Sequence, residues 1–397
     1  MKKNLSFFII LFFASCVFKA KNVLMIPRSD ESGIIKLYYD REGELYPPDV
    51  HVTPYYFYLQ QLKKSKTKQS NPEFATVESA LTRYDSLSKD FVRKQYHLED
   101  KDSNRLFRRL QNILQKNVIL QMKKSMNEKK CKHLIFLIHG FNDPAPDAYY
   151  FSLRSDINAY TKEKPTYVEV YWDGLTSLGA HPALAGIWEY AQTNSAKVGL
   201  GIRKILNNID TDTKITILTH SLGASVATHI LFNPFTWPEK FQEKLEADYQ
   251  SDKIPTPQQN DIRLGMLAPA IGGTDEFNFI NNTVPTGTTT HLKILVVGYN
   301  HYDYAVTKGG LFPRWFGNTS FGADAKKEVS KTFDGLKQKA PDLKTVGIDF
   351  SYIKKINTDT LSKKAIKALK PLRQYQHAIL FYEKNEHFVD FLHALLQ

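Results

Sequence analysis

Cysteine is nearly absent from this chain: Cys16 and Cys131 are the only thiols among 397 residues. If Cys16 is otherwise engaged, Cys131 has no partner and no intrachain disulfide forms. Cys131 stands at the mouth of an apolar run, where a small packed residue is expected and a catalytic one is not. No cluster of His, Cys, Asp and Glu falls at metal-ligand spacing, so no metal and no other cofactor is expected. There is no internal repeat and no heptad run. Zinc-finger spacing, an RNA-binding aromatic signature and a basic zipper are all missing. The net charge of +12 is therefore read as a solvated surface rather than a nucleic-acid footprint. Its modest clusters are Lys63, Lys64, Lys66 and Lys68, and a stretch from Arg105 to Lys132.

What the chain does have is 42% hydrophobic residues, enough for a sizeable core, and an ordinary 24% of charged ones. Its N-terminus reads as an export signal. Lys2 and Lys3 precede an apolar run from Leu5 to Phe13, which is too short to span a bilayer, and Ala14-Ser15-Cys16 follows. The run Phe13-Ala14-Ser15-Cys16 resembles a bacterial lipobox, with Phe13 where Leu is usual. That resemblance implies a lipidated Cys16; a plain secretory signal cut near Ala20 is the alternative. The expected location is the cell envelope, as a membrane-anchored lipoprotein or a periplasmic or secreted protein.

The domain reading is a signal over 1–16, an N-terminal hairpin and helical extension over 22–130, and a core over 131–397. Gly33 to Tyr39 is β-rich, Asp40-Arg41-Glu42-Gly43 is a turn, and Glu44 to Tyr46 is placed to pair back before Pro47-Pro48. Leu106, Leu110, Ile113 and Leu114 recur at helical spacing between basic residues. They predict a helix from Ser103 to Lys124, packed on a sheet with a solvated basic face. From Cys131 onward strands and helices alternate, the pattern of βαβ units and a mostly parallel sheet with helices on both faces. Predicted strands are His133 to Ile138, Tyr167 to Tyr171, Lys214 to Leu218, Arg263 to Leu267, Lys293 to Val297 and Val346 to Phe350. Predicted helices are Ala148 to Thr161, Pro182 to Asn208, Gly223 to Leu231 and Glu386 to Leu395.

One junction carries chemistry. The strand Lys214 to Leu218 runs into Thr219-His220-Ser221-Leu222-Gly223, and a small-residue helix with Ala224 and Ala227 follows. A nucleophilic serine needs this sharp strand-to-helix turn so that its Oγ stands clear of the sheet. Gly223 satisfies the need for a small residue after it; Thr219 replaces the usual glycine before it. A second junction lies earlier, where the strand ending at Ile138 meets His139-Gly140-Phe141-Asn142. Backbone amides of Phe141 and Leu222 are the expected oxyanion donors. His139 is expected to bond backbone rather than to transfer protons.

These stretches, with Trp172-Asp173-Gly174, Asn194-Ser195, Asn300 to Asp303 and Gly317-Asn318-Thr319-Ser320-Phe321-Gly322, resemble the α/β-hydrolase superfamily and a poorly characterised bacterial branch of it. The resemblance runs from about Lys132 to the C-terminus. It implies a Ser-acid-His triad and hydrolysis of an ester or amide. In chain order the acid follows a late strand, which favours Asp303 over Asp275. The base follows the last strand, which favours His377 over His301, His387 and His393. Substrate choice is expected to reside in Leu175 to Tyr190, Pro269 to Thr290 and Gly309 to Gly322. The aromatics of the last segment, Phe312, Trp315, Phe316 and Phe321, line an acyl pocket or pack the loop. The expected function is a serine esterase, its partner an ester substrate that could be a lipid, with membrane contact through the anchor. The alternative is an inactive hydrolase-fold binding protein on the envelope.

Overall fold

The computed structural model describes residues 33–39, 43, 45, 103–141, 147–172, 174, 184–234, 254–277, 291–307, 319–351 and 376–397. The signal over 1–16, Cys16, the lysine cluster at 63–68 and most of the three substrate segments lie outside them.

Among the described residues the frame is one seven-stranded sheet. Its strands are β1 (Ile35–Tyr39), β2 (His133–Ile138), β3 (Thr166–Trp172), β4 (Lys214–His220), β5 (Asp261–Leu267), β6 (Leu292–Tyr299) and β7 (Lys344–Asp349). They lie in the order β1-β3-β2-β4-β5-β6-β7, and every neighbouring pair is parallel. The helices are α1 (Ser103–Lys129), α2 (Asp147–Tyr160), α3 (Leu184–Leu206), α4 (Gly223–Leu231), the single turn α5 (Tyr304–Thr307), α6 (Glu328–Lys339), α7 (Ile379–Glu383) and α8 (His387–Leu396). This is an α/β architecture.

The sequence dictates why the middle strands sit inside. All six residues of β2 and all seven of β3 are buried, side chains of both faces included. A strand buried on both faces reads as a near-continuous apolar run, and Leu134 to Ile138 does, while His133 at its start meets Glu163 and Thr216. Glu169 interrupts β3, but it forms an ion pair with buried Arg154 of α2 and accepts a 2.6 Å hydrogen bond from Tyr171 Oη. The charge is paired where solvent is excluded. α3 and α4 pack on each other, and α1 packs on β1, β2, β3 and α3. α8 packs on β5, β6, β7 and α2. It buries Phe388, Phe391, Leu392 and Leu395, a stripe at helical spacing, and seats Leu395 and Phe391 over Gly265 of β5.

Two placements differ from the sequence reading. β1 does meet Leu45 in an antiparallel bridge at Tyr39, as the hairpin expectation requires, but its main partner is β3, in parallel. The segment before residue 131 thus supplies an edge strand of the sheet. Gln111 of α1 ties it down, accepting from Leu45 N at 3.0 Å and donating to Leu45 O at 2.7 Å. The second difference is α6, which the sequence reading passed over. Val329, Phe333 and Leu336 are spaced for one buried face, but lysines and acids surround them.

Candidate active site

In a parallel sheet all strands end on the same edge, and ligands bind outside their carboxyl ends. Ser221 follows β4, His139 and Gly140 follow β2, and Asp303 follows β6. They therefore meet at one edge.

Ser221 occupies the left-handed region with φ +54°. For a residue with a Cβ this costs about 1–3 kcal/mol and persists only when the surroundings impose it. They do. The Ser221 amide donates to Leu267 O at 3.0 Å, and its carbonyl accepts from Ala224 and Ala270 at 3.1 Å each. Gly223 lets α4 start against the end of β2: a Cβ there would lie 2.6 Å from the carbonyl oxygens of both Ile138 and His139. Gly140 performs the same service on the other side, where a Cβ would lie 2.7 Å from Ser221 Cβ. Thr219 is buried, and its hydroxyl faces Gly265 O at 3.4 Å. The elbow thus accommodates a threonine whose buried hydroxyl is turned toward a backbone acceptor on β5.

Three of the predicted residues form a line. Ser221 Oγ stands 2.8 Å from His377 Nε2, and His377 Nδ1 stands 2.7 Å from Asp303 Oδ2. Asp303 is fully buried. Its other oxygen accepts the amides of Ala305 at 3.0 Å and Val306 at 3.3 Å, where α5 begins. One carboxylate oxygen is thus consumed by the helix turn, and the other is aimed at the imidazole. With Nδ1–H donating to the carboxylate, Nε2 carries the lone pair that faces the serine hydroxyl.

The rival residues lie elsewhere. His301 is exposed, with Nδ1 at 3.2 Å from Ala323 O. His387 stands at the start of α8, 3.4 Å from Asp390. His393 is exposed on the same helix. Asp275 falls in the one-turn helix Thr274–Glu276; its side chain lies outside the described residues. Phe321 is fully buried against Phe277, so this aromatic packs the core. Phe312, Trp315 and Phe316 lie outside the described residues.

His139 bonds to backbone, as expected of it. The amide of Trp172 donates to His139 Nε2 at 3.1 Å, which leaves the ring proton on Nδ1 to donate to Gly140 O at 2.9 Å. Trp172 Nε1 in turn donates to His139 O at 2.9 Å, and the two rings stack with centroids 5.5 Å apart. His139 N donates to Tyr150 Oη at 2.8 Å, and that hydroxyl donates to Val170 O at 2.7 Å. The loop carrying Phe141 is thereby clamped between β2 and β3. On the serine side, the Leu222 amide meets no acceptor among the described residues.

Further residues, to which the sequence assigns no role, support the line. His220 Nε2 lies 2.7 Å from the His377 carbonyl. Tyr382, one turn into the chain after His377, is buried against Phe350 with centroids 4.9 Å apart. Burial, then the nearby Asp303 charge, hold its phenol well above its usual range and therefore protonated. The Thr319–Gly322 stretch braces the acid loop. Thr319 Oγ1 donates to Val306 O at 2.8 Å, Asn300 N donates to Gly322 O at 2.9 Å, and Gly322 N donates to Pro269 O at 2.9 Å. The sequence signal for that brace was the Gly317 to Gly322 motif itself, whose role no local pattern reveals.

Among the described residues no group of three or more His, Cys, Asp or Glu could hold a metal ion, and no helix is long and apolar enough to cross a membrane. Compared with protein-family models, curated proteins and solved structures, the chain matches none.

Proposed function

We propose that this protein is a serine hydrolase of the α/β-hydrolase fold that cleaves a carboxylic ester through Ser221, His377 and Asp303. The observation that carries the reading is the unbroken hydrogen-bonded line from Ser221 Oγ through the imidazole to the buried carboxylate. Nucleophile, base and orienting acid are the parts such chemistry needs, and their separations suit proton transfer. Chain order, Ser221 then Asp303 then His377, agrees with that fold.

The steps follow from the geometry. His377 Nε2 takes the hydroxyl proton as Ser221 Oγ bonds to the ester carbonyl carbon, and the carbonyl π electrons move onto oxygen. The oxyanion accepts hydrogen bonds from the amides of Phe141 and Leu222. The C–O bond to the leaving group breaks, and His377 Nε2–H protonates the departing alkoxide. Water then gives a proton to the same nitrogen, attacks the acyl carbon and releases the acid, and Ser221 recovers its proton. Asp303 keeps its charge throughout and stabilises the imidazolium.

A lipid ester suits the export signal and the sequence's Phe312, Trp315 and Phe316, and the reading places the enzyme at the cell envelope, tethered through Cys16. Labelling of Ser221 by a fluorophosphonate tests the chemistry. The wild-type chain should be labelled and should hydrolyse short-chain esters, with or without detergent, and Ser221→Ala should do neither. A folded wild type that stays unlabelled would rule the reading out. Graded acyl esters address the substrate: a preference for long chains in micelles supports a lipid, and activity confined to acetate argues against one. The tether predicts incorporation of a fatty-acid analogue that Cys16→Ser abolishes.

A further inference from the structure

His377 has no strand or helix of its own. It lies in a turn, Gln376 to Ala378, just before α7. A base must be held to a few tenths of an ångström, because a misplacement of 1 Å can cost about a hundredfold in rate. Its ring is held at Nδ1 by Asp303, but a ring hydrogen bond does not fix the backbone that carries it. Among the described residues the partner of the His377 carbonyl is the His220 side chain, at 2.7 Å.

We propose that His220 is a positioning residue for His377: its Nε2–H grips the His377 carbonyl and so locks the base to the residue adjoining the nucleophile. The inference rests on the triad reading above. Three features support it. First, a carbonyl only accepts, so His220 must carry its proton on Nε2, and the bond has one direction. Second, His220 ends β4 and is joined through its own peptide to Ser221, so the bond fixes base and nucleophile to one rigid support. Third, the His220 and His377 rings lie with centroids 5.1 Å apart. A cation on His220 would oppose the imidazolium that His377 must form. Burial, then the proximity of His377, push the His220 pKa down to about 3, so the ring stays neutral while it donates.

Two substitutions separate the hydrogen bond from the packing. His220→Gln places an N–H where Nε2 stood; His220→Met fills similar volume with no donor. On a short-chain ester, His220→Met should lower kcat by roughly 10- to 100-fold with KM within about twofold. His220→Gln should recover most of that loss, with similar melting temperatures for the two variants. Equal losses in both, or full activity in His220→Met, would overturn the proposal. If the Met variant does not fold, His220→Asn, whose amide stops short of the carbonyl, takes its place. A second readout does not need turnover. The His377 Nδ1 proton, bonded to Asp303, should give a far-downfield proton resonance in the wild type and His220→Gln. It should broaden or vanish in His220→Met; persistence there would also overturn the proposal. A wild type that fails to react with fluorophosphonate while the resonance responds in this way would sink the hydrolase reading alone.

Discussion

Gly140 and Ser221 are packed so closely that a Cβ on residue 140 would lie 2.7 Å from Ser221 Cβ and 3.3 Å from its Oγ. The loop after β2 and the elbow after β4 therefore fit as one surface, and the amide of Phe141 is carried on the piece that a side chain would displace. Gly140→Ala should keep the fold but retreat this loop from the serine. We expect a loss of about 10²-fold in kcat, the scale of losing one oxyanion donor. Steady-state kinetics beside a thermal melt would check it; a rate within threefold of wild type would show that the loop contributes no donor.

The two oxygens of Asp303 have separate tasks, and Asp303→Asn exploits this. The asparagine carbonyl still caps the amides of Ala305 and Val306, so stability should change little. Its NH2 then faces His377 Nδ1, where only an acceptor serves, and the imidazole is driven to the wrong tautomer. The expected fall in kcat is about 10⁴-fold, with circular dichroism unchanged. A small loss would reassign the acid, and Asp275 would be the next residue to change.

Thr219 stands where a glycine was expected, and the structure makes it a fitted residue. Replacing it by glycine removes a buried methyl and hydroxyl and frees the unfolded backbone. Thr219→Gly should destabilise the protein by about 1–3 kcal/mol in urea unfolding, with no gain in activity. A stabilised or faster variant would show that the threonine strains the elbow.

Stability should fall on acidification. Burial, before any neighbouring charge, lowers the pKa of His133 to about 4 and of His220 and His229 to about 3. The unfolded chain protonates these rings as pH drops through about 6.5, whereas the folded chain does not until pH 3–4. Each therefore withdraws stability below pH 6.5, on the order of 1 kcal/mol per pH unit near pH 5. Glu383 opposes them. Burial, then Asp156, raise its carboxyl to about 7, so it favours the folded state at low pH and loses that contribution as pH rises through 7. It is partly exposed and single, so the histidines prevail. Urea midpoints at pH 7 and pH 5 should show the drop; equal midpoints would contradict it.

Much of this was legible in the chain. β2 and β4 could be read because a strand buried on both faces is mostly apolar, and Leu134 to Ile138 and Ile215, Ile217 and Leu218 are. α8 could be read because its stripe recurs at helical spacing. His377 was placed by its order after the last strand. What was hidden depends on contacts between distant segments. Nothing local in Ile35 to Tyr39 says that it pairs in parallel with β3. Nothing local in His220 says that its ring reaches a carbonyl 157 positions later in the sequence. Tyr382 and the Gly322 brace are equally silent, since their partners are backbone atoms or a residue from another loop. α6 had a signal in Val329, Phe333 and Leu336, diluted by the charges between them.

The line from Ser221 to His377 spans 156 positions of sequence, and that from His377 to Asp303 spans 74. No fragment that ends before the closing segment contains a working set of these groups. On the proposed hydrolase reading, the serine is made long before its base, so a growing chain carries an ordinary hydroxyl. Reactivity, on this view, arrives with the completion of folding, and loss of probe labelling becomes a sensitive reporter of any lesion that prevents the sheet's far edge from closing.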